Sequence, residues 1–216
     1  MPSNFFRSVI WALVLCAALV GFARATAIRW WRVPTDDPDL SSSLAPSLRA
    51  GDWIVLWRLT PPGYGDLVLC PDPQEPAEVV VGRIAAKGGD TLLIRDDGQL
   101  EVNDTRIRTE RACPEPNVIV ENPRSGEPVE LPCDVETLGG VHHKRARVLS
   151  GGLRARSVQV EVRSDHFFLV SDNRYYPFDS RDFGEVPIED CGETVVFRLV
   201  SHEGYFDSES RLTFIH

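Results

Sequence analysis

From about residue 35 onward, apolar residues come in short runs broken by proline and glycine, and few recur at helical spacing. That pattern predicts short strands joined by tight turns. WIVLWRL (53–59) and DLVLC (66–70) flank TPPGYG, a turn rich in proline and glycine, and read as adjacent strands. EVVVGRIAAK (78–87) is a longer strand ending at GGD, and TLLIR, DDG and QLEVN follow as strand, turn and strand. Between about Arg111 and Ser157 the alternation fades into a proline-rich, acidic stretch, which predicts an insertion on a mainly β body rather than another core layer. Alternation resumes with VQVEV (158–162), FFLVSD (167–172) and ETVVFRL (193–199), and no internal repeat is visible.

The amino terminus departs from this pattern. From Val9 to Ala23 the chain is apolar without interruption, and Phe5 and Phe6 extend the run if Arg7 snorkels toward lipid headgroups. The expectation is a transmembrane anchor over 5–23 and a juxtamembrane linker over 24–40, with membrane lipid as a partner. Trp30 and Trp31 with Arg24, Arg29 and Arg32 support it as an interfacial belt. The run falls short of the ~20 residues of a comfortable span, and the small residues of ARATA leave a cleaved signal peptide, cut after Ala25 or Ala27, as the other reading.

Composition narrows the function classes. The 216 residues hold one ordinary domain, with or without a large insertion, and 23 basic against 32 acidic side chains give a net charge of −9, which excludes a nucleic-acid backbone as the main partner. Lysine occurs only at Lys87 and Lys144. Cys113 and Cys133 bracket the proline-rich stretch without metal-type spacing and predict a disulfide, hence an oxidising compartment, although three arginines after the apolar run would by themselves hold the body in the cytoplasm. Cys70 and Cys191 lie in apolar surroundings and read as packing residues. His142 and His143, beside Lys144, read as a solvated surface; no metal ligand set and no cofactor is expected.

The chemistry lies in two segments. Ser43-Leu44-Ala45-Pro46-Ser47-Leu48, with Gly51-Asp52 in register, resembles the stretch of bacterial type I signal peptidases in which the nucleophilic serine precedes Met, any residue, Pro, Thr and Leu. Ser171-Asp172-Asn173-Arg174, continuing through Asp179-Ser180-Arg181 to Gly184-Glu185-Val186-Pro187, is similar to that family's GDNR, SxDSR and GxVP run at unbroken spacing. Gly65-Asp66-Leu67-Val68, Lys87-Gly88-Gly89-Asp90-Thr91 and Glu136-Thr137-Leu138-Gly139 resemble further family segments, as does the tail Arg211-Leu212 with Ile215-His216. The resemblance implies a signal-peptidase-like, partly barrel-like β body over 41–103 and 158–216, an inserted subdomain over 104–157, and one amino-terminal helix in the cytoplasmic membrane with the body outside it.

Those family roles fall here on Ser43 as nucleophile and Ser41 as an oxyanion-hole residue. Arg83, Asp172, Asn173, Arg174, Asp179, Ser180 and Arg181 fall on supporting positions. The general base is where the pattern breaks. A serine hydroxyl needs a base within hydrogen-bond reach, and a lysine whose pKa is lowered by burial serves in this family. The lysine position, one before the conserved-type arginine Arg83, is Gly82 here, and the serine that would bond that lysine is Pro177. Ahead of the nucleophile, the family's Ile-Pro is matched by Asp39 and Leu40.

The resemblance therefore implies a signal peptidase relative that acts on or binds signal peptides or other extended segments of exported proteins, impaired by loss of its base, with an active paralogue as a further candidate partner. Two alternatives remain: a working serine endopeptidase with an unconventional or partner-supplied base, and a structural subunit of an envelope complex.

Overall fold

The computed structural model describes residues 2–149 and 157–215; the end of the expected insertion, 150–156, and the terminal His216 lie outside them. Helix α1 spans Pro2–Thr26. It is followed by strand β1 (Ile28–Arg32), the short helix α2 (Pro38–Ser43), β2 (Trp53–Trp57), β3 (Leu67–Pro71) and β4 (Val79–Lys87). Next come β5 (Thr91–Ile94), β6 (Leu100–Val102), β7 (Thr105–Arg106), β8 (Arg108–Glu121), β9 (Pro128–Leu138) and β10 (Val141–Ala146). The carboxyl-terminal third holds β11 (Val158–Glu161), β12 (His166–Val170), α3 (Ser180–Phe183), β13 (Val186–Pro187), β14 (Glu193–Val200) and β15 (Thr213–Phe214).

The expected short strands thus form, and they assemble into three sheets. The largest runs β1-β2-β14-β3-β4-β12-β13 with β15 added to β14, while β11-β5-β6-β7 and β10-β9-β8 make the other two. The large sheet stays open: its path ends at β1 and β13, and no pairing between them closes the expected barrel. The stretch expected as an insertion carries the three-stranded antiparallel sheet β10-β9-β8. Its weak alternation has a physical cause: the β8–β9 register shifts between Thr109 and Arg111 and again between Ala112 and Asn117, and Pro128 and Pro132 stand opposite Glu121 and Asn117.

Alternation on the large sheet sorts its faces. Ile54 and Leu56 of β2, Leu67 and Leu69 of β3 and Val81 of β4 pack with Leu40, Leu44 and Leu48 from the serine segment. On the other face of β3 and β4, Val68, Cys70, Val80 and Ile84 pack with Phe167, Leu169, Phe183 and Val186. At the β1 end the outward row is aromatic. Trp30 pairs with Val55, Val55 with Phe197 and Phe197 with Phe214, and beside that row Trp53 pairs with Arg32 and Val200. Trp30, Trp53 and Phe214 are exposed.

Among the described residues no helix is long and apolar enough to cross a membrane, which corrects the expected transmembrane anchor. The uninterrupted apolar run of α1 lies between Arg7 and Arg24 and is shorter than the ~20 residues a span wants. Its end meets the sheet where the Arg24 guanidinium stacks 4.4 Å from the Trp30 ring.

Two disulfides join the strands. Cys113 and Cys133 bond across β8 and β9, and Cys70 bonds Cys191, so the latter pair are not the simple packing residues that their sequence surroundings suggested. Their positions 121 residues apart made the pairing invisible to sequence. Removing the Cys70–Cys191 bond by paired alanine substitution should cost about 5 kcal/mol, against about 3 kcal/mol for the 20-residue separation of Cys113 and Cys133. Denaturant unfolding of the two double variants checks the order, and equal losses would refute the loop-length account.

Candidate active site

The serine segment enters from β1 and turns into α2, where the Asp37 side chain accepts a hydrogen bond from Leu40 N at 2.9 Å and Pro38 occupies the first turn. Both are helix-starting signals, so the residues ahead of the serine are helical rather than an extended strand. Ser43 closes α2, fully buried, and its hydroxyl donates to Leu40 O at 2.8 Å. Ser41 is half-buried and donates to Pro38 O, while Ser42 donates to Glu121 O of β8 at 2.9 Å. Among the described residues no titratable side chain hydrogen-bonds Ser43.

Gly82 sits in the middle of β4, opposite Val68. A Cβ there would stand 2.9 Å from Leu169 Cβ, so the core has closed over the position. Lys87 ends the same strand with its ammonium 4.7 Å from the Tyr64 ring and 5.5 Å from that of Phe167.

The supporting residues converge. Arg83 Nε and Nη2 bond the two oxygens of Asp172 at 2.8 Å each, and its third nitrogen donates to Gly65 O at 2.6 Å. Asp172 Oδ2 also accepts from the Ser47 hydroxyl at 2.5 Å, which ties the serine segment to the pair. Asn173 donates from its backbone to Ser43 O at 2.9 Å and from its side chain to Ser42 O at 2.8 Å. Asp179 caps α3 and pairs with Arg181 at 2.7 Å, and Ser180 Oγ accepts from Leu169 N. These contacts bring Ser43, Asp172, Asn173 and Ser47 into one buried neighbourhood and leave Gly82 lined by Leu169.

The family description "Signal peptidase, peptidase S26" matches residues 6–200. The chain belongs to the S26 signal peptidase family. It is similar to a protein named signal peptidase I from Pseudomonas fluorescens, 25% identical over 157 residues that cover 65% of this chain and 52% of that protein. The chain therefore spans about half the length of that relative.

The β8–β10 sheet adds what sequence reading missed. His143, expected on a solvated surface, is buried, because alternation on β10 turns His143 and Arg145 inward and leaves His142 and Lys144 outside. Its Nε2 lies 3.3 Å from Glu136 Oε2 and 3.8 Å from Asp172 Oδ1. Glu136 also meets Arg174 at 2.6 Å and Arg145 at 3.1 Å. Burial, the largest single influence, opposes ionisation of Glu136, and Arg174, the His143 contact and Arg145 together outweigh it and bring the carboxyl down to about 2. Asp172 and Asp179 behave likewise, burial raising them and Arg83 and Arg181 holding them below the usual carboxylate range. His143 is lowered by burial and then by the Arg83 charge, so it is neutral when folded.

Two outcomes follow for stability. Asp172→Asn leaves Arg83 buried without its counter-ion and should cost about 3–5 kcal/mol, a fall in Tm on the order of 10 °C; calorimetry showing no change would refute the pair's role. Below about pH 6.5 the unfolded chain protonates His143 and the folded chain does not, so stability falls as pH drops through that value. Glu136 contributes stability that is present above about pH 4.5 and lost toward about pH 2, and Asp172 and Asp179, also held below the usual carboxylate range, add stability that is likewise lost as the pH falls in acid. Thermal scans against pH should show both declines, and His143→Asn should remove only the upper one.

Proposed function

We infer that this chain binds extended segments of exported proteins, signal peptides foremost, at a membrane surface and cleaves them poorly or not at all. One observation carries the reading: Ser43 is buried, its hydroxyl is given to Leu40 O, and the family's base position is Gly82 against Leu169. A neutral hydroxyl with no base beside it loses orders of magnitude in rate, although ~10³-fold residual catalysis can survive such losses. Peptide as the ligand class follows from the family, and an active paralogue is the natural recipient of a bound segment. In this reading 41–103 and 158–216 are the peptidase-like body and 104–157 the added unit.

Membrane attachment is supported by the exposed apolar side chains of α1 and by the outward row of Trp30, Trp53 and Phe214 that continues from it. Together they offer a helix and an aromatic sheet face to an interface. Two disulfides support a body on the extracytoplasmic side.

The test is cleavage and binding of a labelled preprotein by the full-length protein beside folded Ser43→Ala. Binding by both with no serine-dependent cleavage is the expected result; cleavage that vanishes on Ser43→Ala would overturn the impairment. Gly82→Lys alone should lower stability by about 1–3 kcal/mol through overpacking against Leu169. Combined with Leu169→Gly, which removes that Cβ, it should cost less than the sum of the two single losses in melting experiments, and strict additivity would count against Leu169 as the obstacle.

A further inference from the structure

We propose that the joint between the β8–β10 sheet and the serine segment is an acid-sensitive hinge: protonation of His143 lifts that sheet off Asp172 and Ser42 while the large sheet stays folded. Such a device is independent of the ligand, and it sets a condition under which the surroundings of Ser43 open.

The sheet is held differently along its length. At one end Leu138 packs with Leu92 and Phe168, and both of its connections, β7 to β8 and the Gly139-Gly140 turn, lie at that end. Beyond it the apolar contact is small, with Val120, Leu131 and Ala146 against Ala45 and half-buried Tyr175 and Tyr176 beside them. Polar bonds close the rest: Ala146 N donates to Asp172 O at 2.9 Å, Arg174 N to Ala146 O at 3.0 Å and Ser42 Oγ to Glu121 O at 2.9 Å. A unit with few buried apolar contacts opens at lower cost than the core it rests on.

His143 lies in this joint, and neither its side chain nor those of Glu136 and Asp172 are exposed. From its own sheet it faces Glu136, with Arg145 beyond that carboxylate; from the body it faces Asp172, Arg83 of β4 and, through Glu136, Arg174. The cavity beside it is bordered by Arg49, Asp52, Glu115 and Arg198, and by His142 and His202, which are exposed. Both near carboxylates are already committed, Asp172 to two nitrogens of Arg83 and to Ser47, and Glu136 to Arg174 and Arg145. Three guanidiniums thus surround two carboxylates, and a proton on the imidazole adds a fourth positive charge where water does not reach. Burial and then the Arg83 charge hold the ring neutral while the joint is closed. Once the sheet lifts, His143 meets water and takes a proton at its ordinary value of about 6.5. Opening is thereby coupled to uptake of one proton. Each pH unit below about 6.5 raises the open fraction about tenfold, until the closed joint itself protonates. Glu136 and Asp172 are held ionised by their arginines over that range.

Amide hydrogen exchange followed by NMR on the full-length protein, from about pH 5 to about pH 7.5 and corrected for intrinsic exchange rates, tests this. The amides of Ala146 and Arg174, which bond across the joint, should lose protection about tenfold per pH unit below about 6.5. Amides inside the β9–β10 ladder and the large sheet should hold theirs. His143→Asn and His143→Gln should flatten the dependence, and His202→Asn should leave it unchanged. The His143 ring resonances of the folded wild-type protein should titrate below the ordinary histidine value, a readout that needs no variant. A ring that titrates at about 6.5 in the folded protein, protection lost equally from the large sheet, or a pH dependence that survives both His143 substitutions would each overturn the hinge.

Discussion

Neither the Arg83 guanidinium nor the Asp172 carboxylate could remain in the interior without the other, because an isolated buried ion costs far more than a fold of this size can absorb. Their two-pronged contact decides much of what surrounds it. Arg83 comes from the middle of the large sheet, and Asp172 from the chain leaving β12. Ser47 brings the serine segment to the same carboxylate, and His143 brings the β8–β10 sheet. Three parts of the chain that are distant in sequence are therefore held by one pair. Glu136, Arg174 and Arg145 extend the arrangement outward, so each buried charge has an opposite charge beside it.

What the pair supports is the buried surroundings of Ser43 and Gly82. Leu169 closes on Gly82, and Phe178, half-buried, packs against the clusters on both faces of the sheet. Position 82 is enclosed by apolar contact. Ser43 takes its hydrogen-bond partner from its own helix, as serines near helix ends commonly do.

The second consequence is geometric. Asp37 and Pro38 start a helix ahead of Ser43, and Ser42 of that helix meets β8 through its bond to Glu121 O.

Local order was legible in the sequence. Strand positions and the turn glycines follow from alternation and spacing, which depend on near neighbours, while the Ser43 and Asp172–Arg181 segments were picked out by their resemblance to signal peptidases. The burial of His143, the Cys70–Cys191 bond, the open edge of the large sheet and the helical turn of α2 were not legible in the same way. His143 reads as polar among Lys144 and Arg145, and only docking against Asp172 and Arg83 makes its burial tolerable. Cys70 and Cys191 meet because β3 and β14 are neighbours in a sheet, a fact that no local pattern carries. The sequence by itself determined most of the strands, because their alternation depends on near neighbours. Only the tertiary structure decided which charges would be buried together and which strand edge would be left open, because both depend on contacts between residues far apart along the chain.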